Sequence, residues 1–191
     1  NMDLNGYTLT INRSVVIKSG RYNVNGGSCK ITGDLTQEAG VMDLNGGKLE
    51  VEGDYRIQKY DEKSKSYETS TGALRIAGEK EEVTVGGDFY TQSSEGSFSS
   101  SGCNYFSAGK LTLKGNFTQL KGDTRNFQAG GTKVIFAGSK VQEISFETPE
   151  SSYFVYPIFK NSNVVFKSRM HGWTLSEDTK LFEEMDKIRI V

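Results

Sequence analysis

The stretch MDLNGYTLTI (residues 2–11) recurs as YNVNGGSCKI (residues 22–31) and again as MDLNGGKLEV (residues 42–51). The three copies align without gaps at a period of 20 residues. Apolar and polar residues alternate on each side of a shared Asn-Gly, which is the period of a β-strand. Asn and Gly tolerate the positive φ that a sharp change of direction needs. Each copy therefore predicts a strand, a corner and a second strand.

Two arrangements of these strands are open. Asn-Gly between alternating runs is also the strongest local signal for a β-hairpin, so an antiparallel meander competes with a parallel coil. The gap-free period favours the coil, because identical positions of successive coils then stack about 4.8 Å apart. Stacked Asn side chains exchange amide hydrogen bonds, as they do in cross-β structures. The predicted ladders are Asn5, Asn25 and Asn45 for the amides, and Leu4, Val24 and Leu44 for the apolar interior. We predict an all-β, right-handed parallel β-helix (β-solenoid) of about six to eight coils.

A second signature continues the pattern beyond the third copy. A glycine followed by Asp or Asn, and then by Leu or an aromatic residue, recurs after steps of 20, 34 and 28 residues, with a weaker copy ending at Gly138. These dipeptides are Gly33-Asp34, Gly53-Asp54, Gly87-Asp88 and Gly115-Asn116. Where the step is longer than 20 residues, the extra length falls after the strand that begins with the dipeptide and before the next repeat. The resulting insertions are 59–72, 93–105 and 120–126. Such loops on one side of a solenoid are either its interaction surface or simply tolerated surface corners.

The whole chain, 1–191, reads as one elongated domain. Regular coils occupy 2–58, coils with insertions 59–146, and degenerate coils 147–191. At the end of the chain, Ser176 and Asp178 form a capping pattern that predicts a short helix. Equally, Leu181 belongs to a strand and IRIV (188–191) to the next one.

Composition narrows the choice of partners. The chain has 191 residues, with 23 Lys and Arg against 24 Asp and Glu, and a net charge of −1. We therefore expect no nucleic-acid partner, since such partners call for clustered positive charge. No apolar segment is long enough to insert into a membrane. The first residues already lie inside the repeat, so we expect the chain to be a fragment of a longer protein.

The motif NGGxLxVxGD, followed by an aromatic residue or Leu and then by Thr-Gln, resembles the repeats of secreted bacterial cell-surface, adhesin-like proteins, and its first part is present as NGGKLEVEGD (residues 45–54). The segment GGTKVIFAGSKVQEISF (residues 130–146) looks like the one that often ends such arrays. The resemblance covers about residues 2–166. It implies a right-handed parallel β-helix at the cell surface and offers no catalytic motif to transfer. We expect no cofactor. We expect a monomeric, non-enzymatic stalk or binding module, whose partner is a host or bacterial glycan or a surface protein.

The alternative function is that of a polysaccharide-acting β-helix enzyme, a lyase or a glycoside hydrolase. A stack of Asp34, Asp54 and Asp88 would suit a cation. Each of these residues follows a glycine at a corner, however, where Asp normally hydrogen-bonds the local backbone, and this favours a structural role. The single histidine, His171, excludes a multi-histidine metal site. We predict no catalytic residue and no metal site.

Aromatic residues in or beside the insertions are the candidate ligand-binding residues. Exposed aromatic faces suit sugar rings. The candidates are Tyr60, Tyr67, Phe98 and Tyr105. The competing interpretation is that Tyr105 and Phe106 cap the core, which is favoured for Phe106 because it matches Phe127.

The chain also has two cysteines. Cys29 takes the inward place of Leu9 and Leu49, so it is predicted to be a buried, inert thiol. Cys103 lies in a Ser-rich insertion. We expect both thiols to be free.

Overall fold

The computed structural model describes residues 1–95, 105–122 and 127–169, together with the backbone of Ile188–Ile190. Regular structure in these residues consists of β-strands, with no helix. The strands are β1 (Met2–Asp3), β2 (Thr8–Ile11), β3 (Val15–Ile17), β4 (Arg21–Asn23), β5 (Ser28–Ile31), β6 (Leu35–Gln37), β7 (Ala39–Asp43), β8 (Lys48–Val51), β9 (Tyr55–Ile57), β10 (Lys59–Asp61), β11 (Ser66–Glu68), β12 (Thr71–Arg75), β13 (Glu82–Val85), β14 (Phe89–Thr91), β15 (Lys110–Leu113), β16 (Phe117–Gln119), β17 (Gln128–Phe136), β18 (Gln142–Phe146), β19 (Tyr153–Phe159), β20 (Val164–Phe166) and β21 (Ile188–Ile190).

Nearly all of these strands lie in three parallel sheets. Sheet A has the order β1-β4-β7-β12, sheet B has β2-β5-β8-β13-β15-β17-β19, and sheet C has β3-β6-β9-β14-β16-β18-β20-β21. The chain visits sheets A, B and C in turn through β1–β3, and repeats this order through β4–β6, β7–β9 and β12–β14. Each passage is called a coil here, and these are coils 1 to 4. Strands β15–β16, β17–β18 and β19–β20 form coils 5 to 7 in sheets B and C.

Strand direction decides between the two predicted arrangements. In the described part of the chain, every pairing of named strands is parallel except that of β10 with β11. The meander is therefore wrong, and parallel strands in stacked sheets, as in a β-solenoid, are confirmed. Strand β21 pairs in parallel with β20, as expected if IRIV is a strand. The segment predicted as a helix or strand around 176–185 lies outside the described residues.

The 20-residue period appears directly in the strand register. Leu9 pairs with Cys29, and Cys29 pairs with Leu49 on the next strand. The interior ladder of Leu4, Val24 and Leu44 is 8%, 1% and 0% exposed. Cys29 is buried and free, and burial raises the pKa of its thiol. Cys103 lies outside the described residues.

The Asn-Gly pairs form the corners between sheets A and B. Asn5, Asn25 and Asn45 have φ values of 45°, 46° and 40°. The glycine that follows each of them also has positive φ, and in the second copy the Gly27 amide donates to the Val24 carbonyl at 2.9 Å. This is the geometry of a type I′ turn. Such turns usually join the two strands of a hairpin, but here the flanking strands enter different sheets, A and B. In this arrangement the apolar residues of both strands face the interior between the sheets.

The predicted Asn ladder is formed in only one of its two steps. The side-chain amide of Asn45 donates to Asn25 Oδ1 at 3.0 Å, as expected. The side-chain amide of Asn25 donates instead to Asp3 Oδ1, also at 3.0 Å, so the predicted hydrogen bond between Asn25 and Asn5 is wrong. A carboxylate is a stronger acceptor than an amide oxygen, which explains the choice of partner. This hydrogen bond is the main cause that lowers the pKa of Asp3.

Substitution of Gly26 provides a test of the corner geometry. A Cβ atom at Gly26 would meet no atom within 4 Å, but the residue has a φ of +72°. Gly26→Val should therefore lower the free energy of unfolding by about 1–3 kcal/mol through backbone strain alone. The matched control is Lys30→Ala, since Lys30 faces outward and makes ion pairs with Glu50 and Glu52 at 3.1 and 2.6 Å. Exposed ion pairs contribute at most about 1 kcal/mol. Urea unfolding of both variants measures the difference, and equal effects would contradict the register.

The core becomes aromatic in coils 4 to 7. Phe117, which is 0% exposed, lies at its centre, with ring centroids 4.9 Å from Phe127 and from Phe154 and 5.2 Å from Phe146. Phe106 is buried with its ring centroid 4.8 Å from that of Phe127, so the prediction that Phe106 caps the core is confirmed.

Candidate functional site

The first insertion folds into a β-hairpin beside coil 3. Strands β10 and β11 pair antiparallel, and Lys59 pairs with Glu68 across them through an ion pair of 2.7 Å. Lys65, at the tight turn, has a φ of 52°. The predicted insertion of 59–72 extends too far, because β12 begins at Thr71 in sheet A. Thr71 and Gly72 are therefore part of coil 4, where they pair with Ala39 and Gly40.

The hairpin brings together two of the predicted ligand-binding residues. Tyr60 and Tyr67 are directly opposite each other on β10 and β11. Their ring centroids are 5.3 Å apart and the ring planes meet at 62°, an edge-to-face contact. Tyr67 is 40% exposed. Cross-strand aromatic pairs of this kind stabilise a hairpin, and here the pair also fixes the orientation of an exposed ring.

Arg56 joins this hairpin to the outer face of sheet C. Its guanidinium lies 3.7 Å from the ring centroid of Tyr90 and 4.9 Å from that of Tyr67. It also makes an ion pair with Asp54 Oδ2 at 2.8 Å. Burial opposes the charge on Arg56, but hydrogen bonds to Tyr90 and Asp54 outweigh burial and raise its pKa. We call Tyr60, Tyr67, Arg56 and Tyr90 the Tyr67 cluster.

Sequence reasoning missed Arg56 and Tyr90. A signal for them was present, because each is the second residue after the Asp of a Gly-Asp dipeptide. The two residues therefore occupy the same place in coils 3 and 4, where they pair on adjacent strands of sheet C. The alternation of a strand puts that place on the outside, since its neighbours on both sides are buried.

The Gly-Asp positions form a hydrogen-bonded ladder. Asp34 Oδ1 accepts a hydrogen bond from the backbone amide of Asp54 at 2.9 Å. Asp54 Oδ1 accepts one from the backbone amide of Asp88 at 2.8 Å. Asp88 Oδ1 accepts from the Asn116 amide at 2.7 Å. These carboxylates thus bond the backbone of the next coil, which corrects the predicted bond to the local backbone. The other oxygen of Asp88 accepts from the Tyr90 hydroxyl at 3.0 Å.

Tyr105, the other predicted site residue in the described part of the chain, does not join the cluster. Tyr105 packs, partly buried, against the hydrophobic core, and its carbonyl accepts from the Ile76 amide at 2.6 Å. Phe98 and His171 lie outside the described residues. Within the described ranges, no three His, Cys, Asp or Glu side chains are grouped so that they could hold a metal ion.

Comparisons of the chain with protein-family models, with curated proteins and with solved structures find no match. A search of the described residues for a helix able to cross a membrane also finds none.

Proposed function

We propose that the chain is a right-handed parallel β-helix belonging to an extracellular bacterial cell-surface protein. It acts there as a monomeric, non-enzymatic, adhesin-like stalk that binds a glycan through the Tyr67 cluster. The repeated order of sheets A, B and C supports the coil, and parallel connections of this kind are right-handed in nearly all proteins. The resemblance of NGGKLEVEGD to bacterial surface repeats supports the location.

The observation that carries the binding proposal is the exposed, oriented ring of Tyr67. It makes an edge-to-face contact with Tyr60, and the guanidinium of Arg56 lies over it at 4.9 Å from the ring centroid. A ring held in this way loses little conformational freedom on binding, so it offers a sugar a pre-organised apolar surface.

The hydrogen bonds made by the carboxylates of the Gly-Asp ladder support a non-enzymatic role over the alternative of a polysaccharide lyase or hydrolase. Hydrolases need two carboxyl groups that are available to the glycosidic bond. The carboxylates of Asp34, Asp54 and Asp88 accept hydrogen bonds from the backbone of the next coil, and that of Asp54 also binds Arg56. Incubation of the protein with uronic-acid polymers tests this assignment, and the appearance of unsaturated products would overturn it.

A glycan array and a matrix-protein panel test the binding proposal. We expect Tyr67→Ala to weaken binding to the best glycan about tenfold, because the variant removes the stacking ring. Tyr67→Phe should bind like the unmodified protein, since the ring is kept. Tyr7→Ala is the matched control, because Tyr7 is a 74% exposed tyrosine in coil 1.

The outcomes separate the binding module from a pure spacer. Loss of binding in Tyr67→Ala but not in Tyr7→Ala supports the proposal. Absence of binding to every glycan and protein would leave only the role of a spacer. An equal loss in both tyrosine variants would remove the Tyr67 cluster from the proposal.

A further inference from the structure

The outer face of sheet B carries rows of charged residues, and the balance of charge changes along the stack. In coils 2 and 3, lysines are matched by carboxylates. Lys30 makes ion pairs with Glu50 and Glu52 at 3.1 and 2.6 Å, and Lys48 makes one with Glu82 at 2.8 Å. This end of the face therefore has little unpaired charge.

In coils 4 to 7 the same face forms a shallow groove bordered by lysines. Lys110, Lys133 and Lys160 line it, and between them lie Thr112, Ile135 and Ile158. Lys110 and Lys133 are paired residues of adjacent strands, so their Cα atoms are about 4.8 Å apart. Lys160 lies across the groove, where its backbone amide donates to the Phe136 carbonyl at 2.9 Å.

The positive charge of this groove is mostly uncompensated. Among the described residues, Lys133 and Lys160 have no carboxylate within 4.0 Å, and both are exposed. Of the residues that the structure describes, Glu82 is the only acidic one in the groove lining, and it is shared between Lys48 at 2.8 Å and Lys110 at 3.3 Å. The groove therefore attracts anions although the whole chain has a net charge of −1.

We propose that this groove binds an anionic polysaccharide that carries carboxylates, such as a uronic-acid polymer. The lysines on the two sides provide partners for carboxylates along such a chain. Ile135 and Ile158 provide an apolar floor for the faces of sugar rings, and Thr112 adds a hydroxyl. Three lysines are fewer than the roughly six to ten phosphate contacts made by a strongly salt-dependent DNA-binding protein, which favours a polysaccharide over duplex DNA.

The groove is independent of the Tyr67 cluster. Arg56 and Tyr90 lie on the outer face of sheet C, whereas the groove lies on that of sheet B. The proposal for the groove therefore stands even if the cluster binds no glycan. Conversely, a failure of the groove to bind does not affect the Tyr67 cluster.

Binding to polygalacturonate, measured by calorimetry at low and high salt, tests the proposal. We expect binding that weakens with salt, and no binding to dextran, a neutral glucan. The double variant Lys133→Gln/Lys160→Gln should bind about tenfold more weakly. Lys30→Gln is the matched control, because Lys30 lies on the same face but is already paired with carboxylates. Glu82→Gln should strengthen binding, since it releases Lys110.

Thermal unfolding of each variant checks that the fold is retained. The predicted order of affinities, with Glu82→Gln above the unmodified protein and the double variant below it, supports the groove. Absence of binding to polygalacturonate, or equal losses in the double variant and in Lys30→Gln, would overturn the proposal. Tighter binding of a single-stranded oligodeoxynucleotide than of polygalacturonate would overturn the assignment to a polysaccharide. An unchanged affinity in Tyr67→Ala is expected, because that residue lies on another sheet.

Discussion

Replacing Phe117 by Ala is expected to lower the free energy of unfolding by about 3–5 kcal/mol. The Phe117 side chain is 0% exposed, and its ring contacts those of Phe89, Phe127, Phe146 and Phe154. Removal of the ring loses the transfer energy of a large apolar group. It also leaves a cavity, because four rings held by separate parts of the chain cannot all move to fill the space.

Urea unfolding monitored by circular dichroism measures this loss. Tyr7→Ala is a suitable control, because Tyr7 is 74% exposed and its truncation should change stability by less than about 0.5 kcal/mol. A loss below about 1 kcal/mol for Phe117→Ala would mean that the aromatic core of coils 4 to 7 is not packed as described.

The second large effect is expected at Gly87, where Gly87→Ala should destabilise the protein by about 3 kcal/mol. A Cβ atom at this position would lie well under 3.0 Å from Asp54 Oδ1 and from the backbone of Gly53. The Gly87 amide also donates to the Gly53 carbonyl at 2.9 Å, so the two coils cannot separate without loss of this hydrogen bond. The cost arises from the contact between coils and not from φ, which is not positive at Gly87.

Gly46→Ala is the matched control for this prediction. Gly46 has a φ of +81°, and the nearest atom to a Cβ added there would be the Gly26 nitrogen at 4.0 Å. Its substitution should cost about 1–2 kcal/mol through left-handed backbone strain alone. Gly46→Asn should recover part of that loss, since Asn tolerates positive φ, whereas Gly87→Asn should recover nothing. Recovery at both sites would show that contact between coils is not the cause at Gly87.

The regular coils were predictable because one constraint repeats. Leu4, Val24 and Leu44 must all face the same interior, and a 20-residue period with alternating polarity satisfies this requirement in one register only. The Gly-Asp signature extended the pattern past the insertions for a similar reason, because close contact between coils requires glycine at Gly53 and Gly87 whatever the length of the intervening loop.

Partner choice among polar side chains was less predictable. The Asn25 amide donates to Asp3 and not to Asn5, although both residues belong to the preceding coil. Similarly, Asp54 could have bonded its own corner, but it accepts from the amide of Asp88 in the next coil at 2.8 Å. Such choices depend on fractions of an ångström, which residue patterns do not encode.

The two candidate binding surfaces depend on contacts between distant parts of the chain. Tyr67 meets Arg56 only because the hairpin folds back over β9, and an insertion of this length can fold in several ways. Lys110, Lys133 and Lys160 are separated by unequal steps in the sequence, so no basic run signals their proximity. Parallel pairing in sheet B aligns Lys110 with Lys133, and Lys160 comes near them because it directly follows β19, which pairs with β17.

The separation of the Tyr67 cluster and the lysine groove onto different sheets has a consequence for assembly. One straight polymer cannot follow both faces, so under the two proposals each surface would take its own partner without competition from the other. The protein would then act as a crosslinker that holds two chains on different sides of one stiff support. Because adjacent coils are about 4.8 Å apart, inserting whole coils between coil 4, which carries Tyr90, and coil 5, which carries Lys110, would increase the offset of the two surfaces in fixed increments.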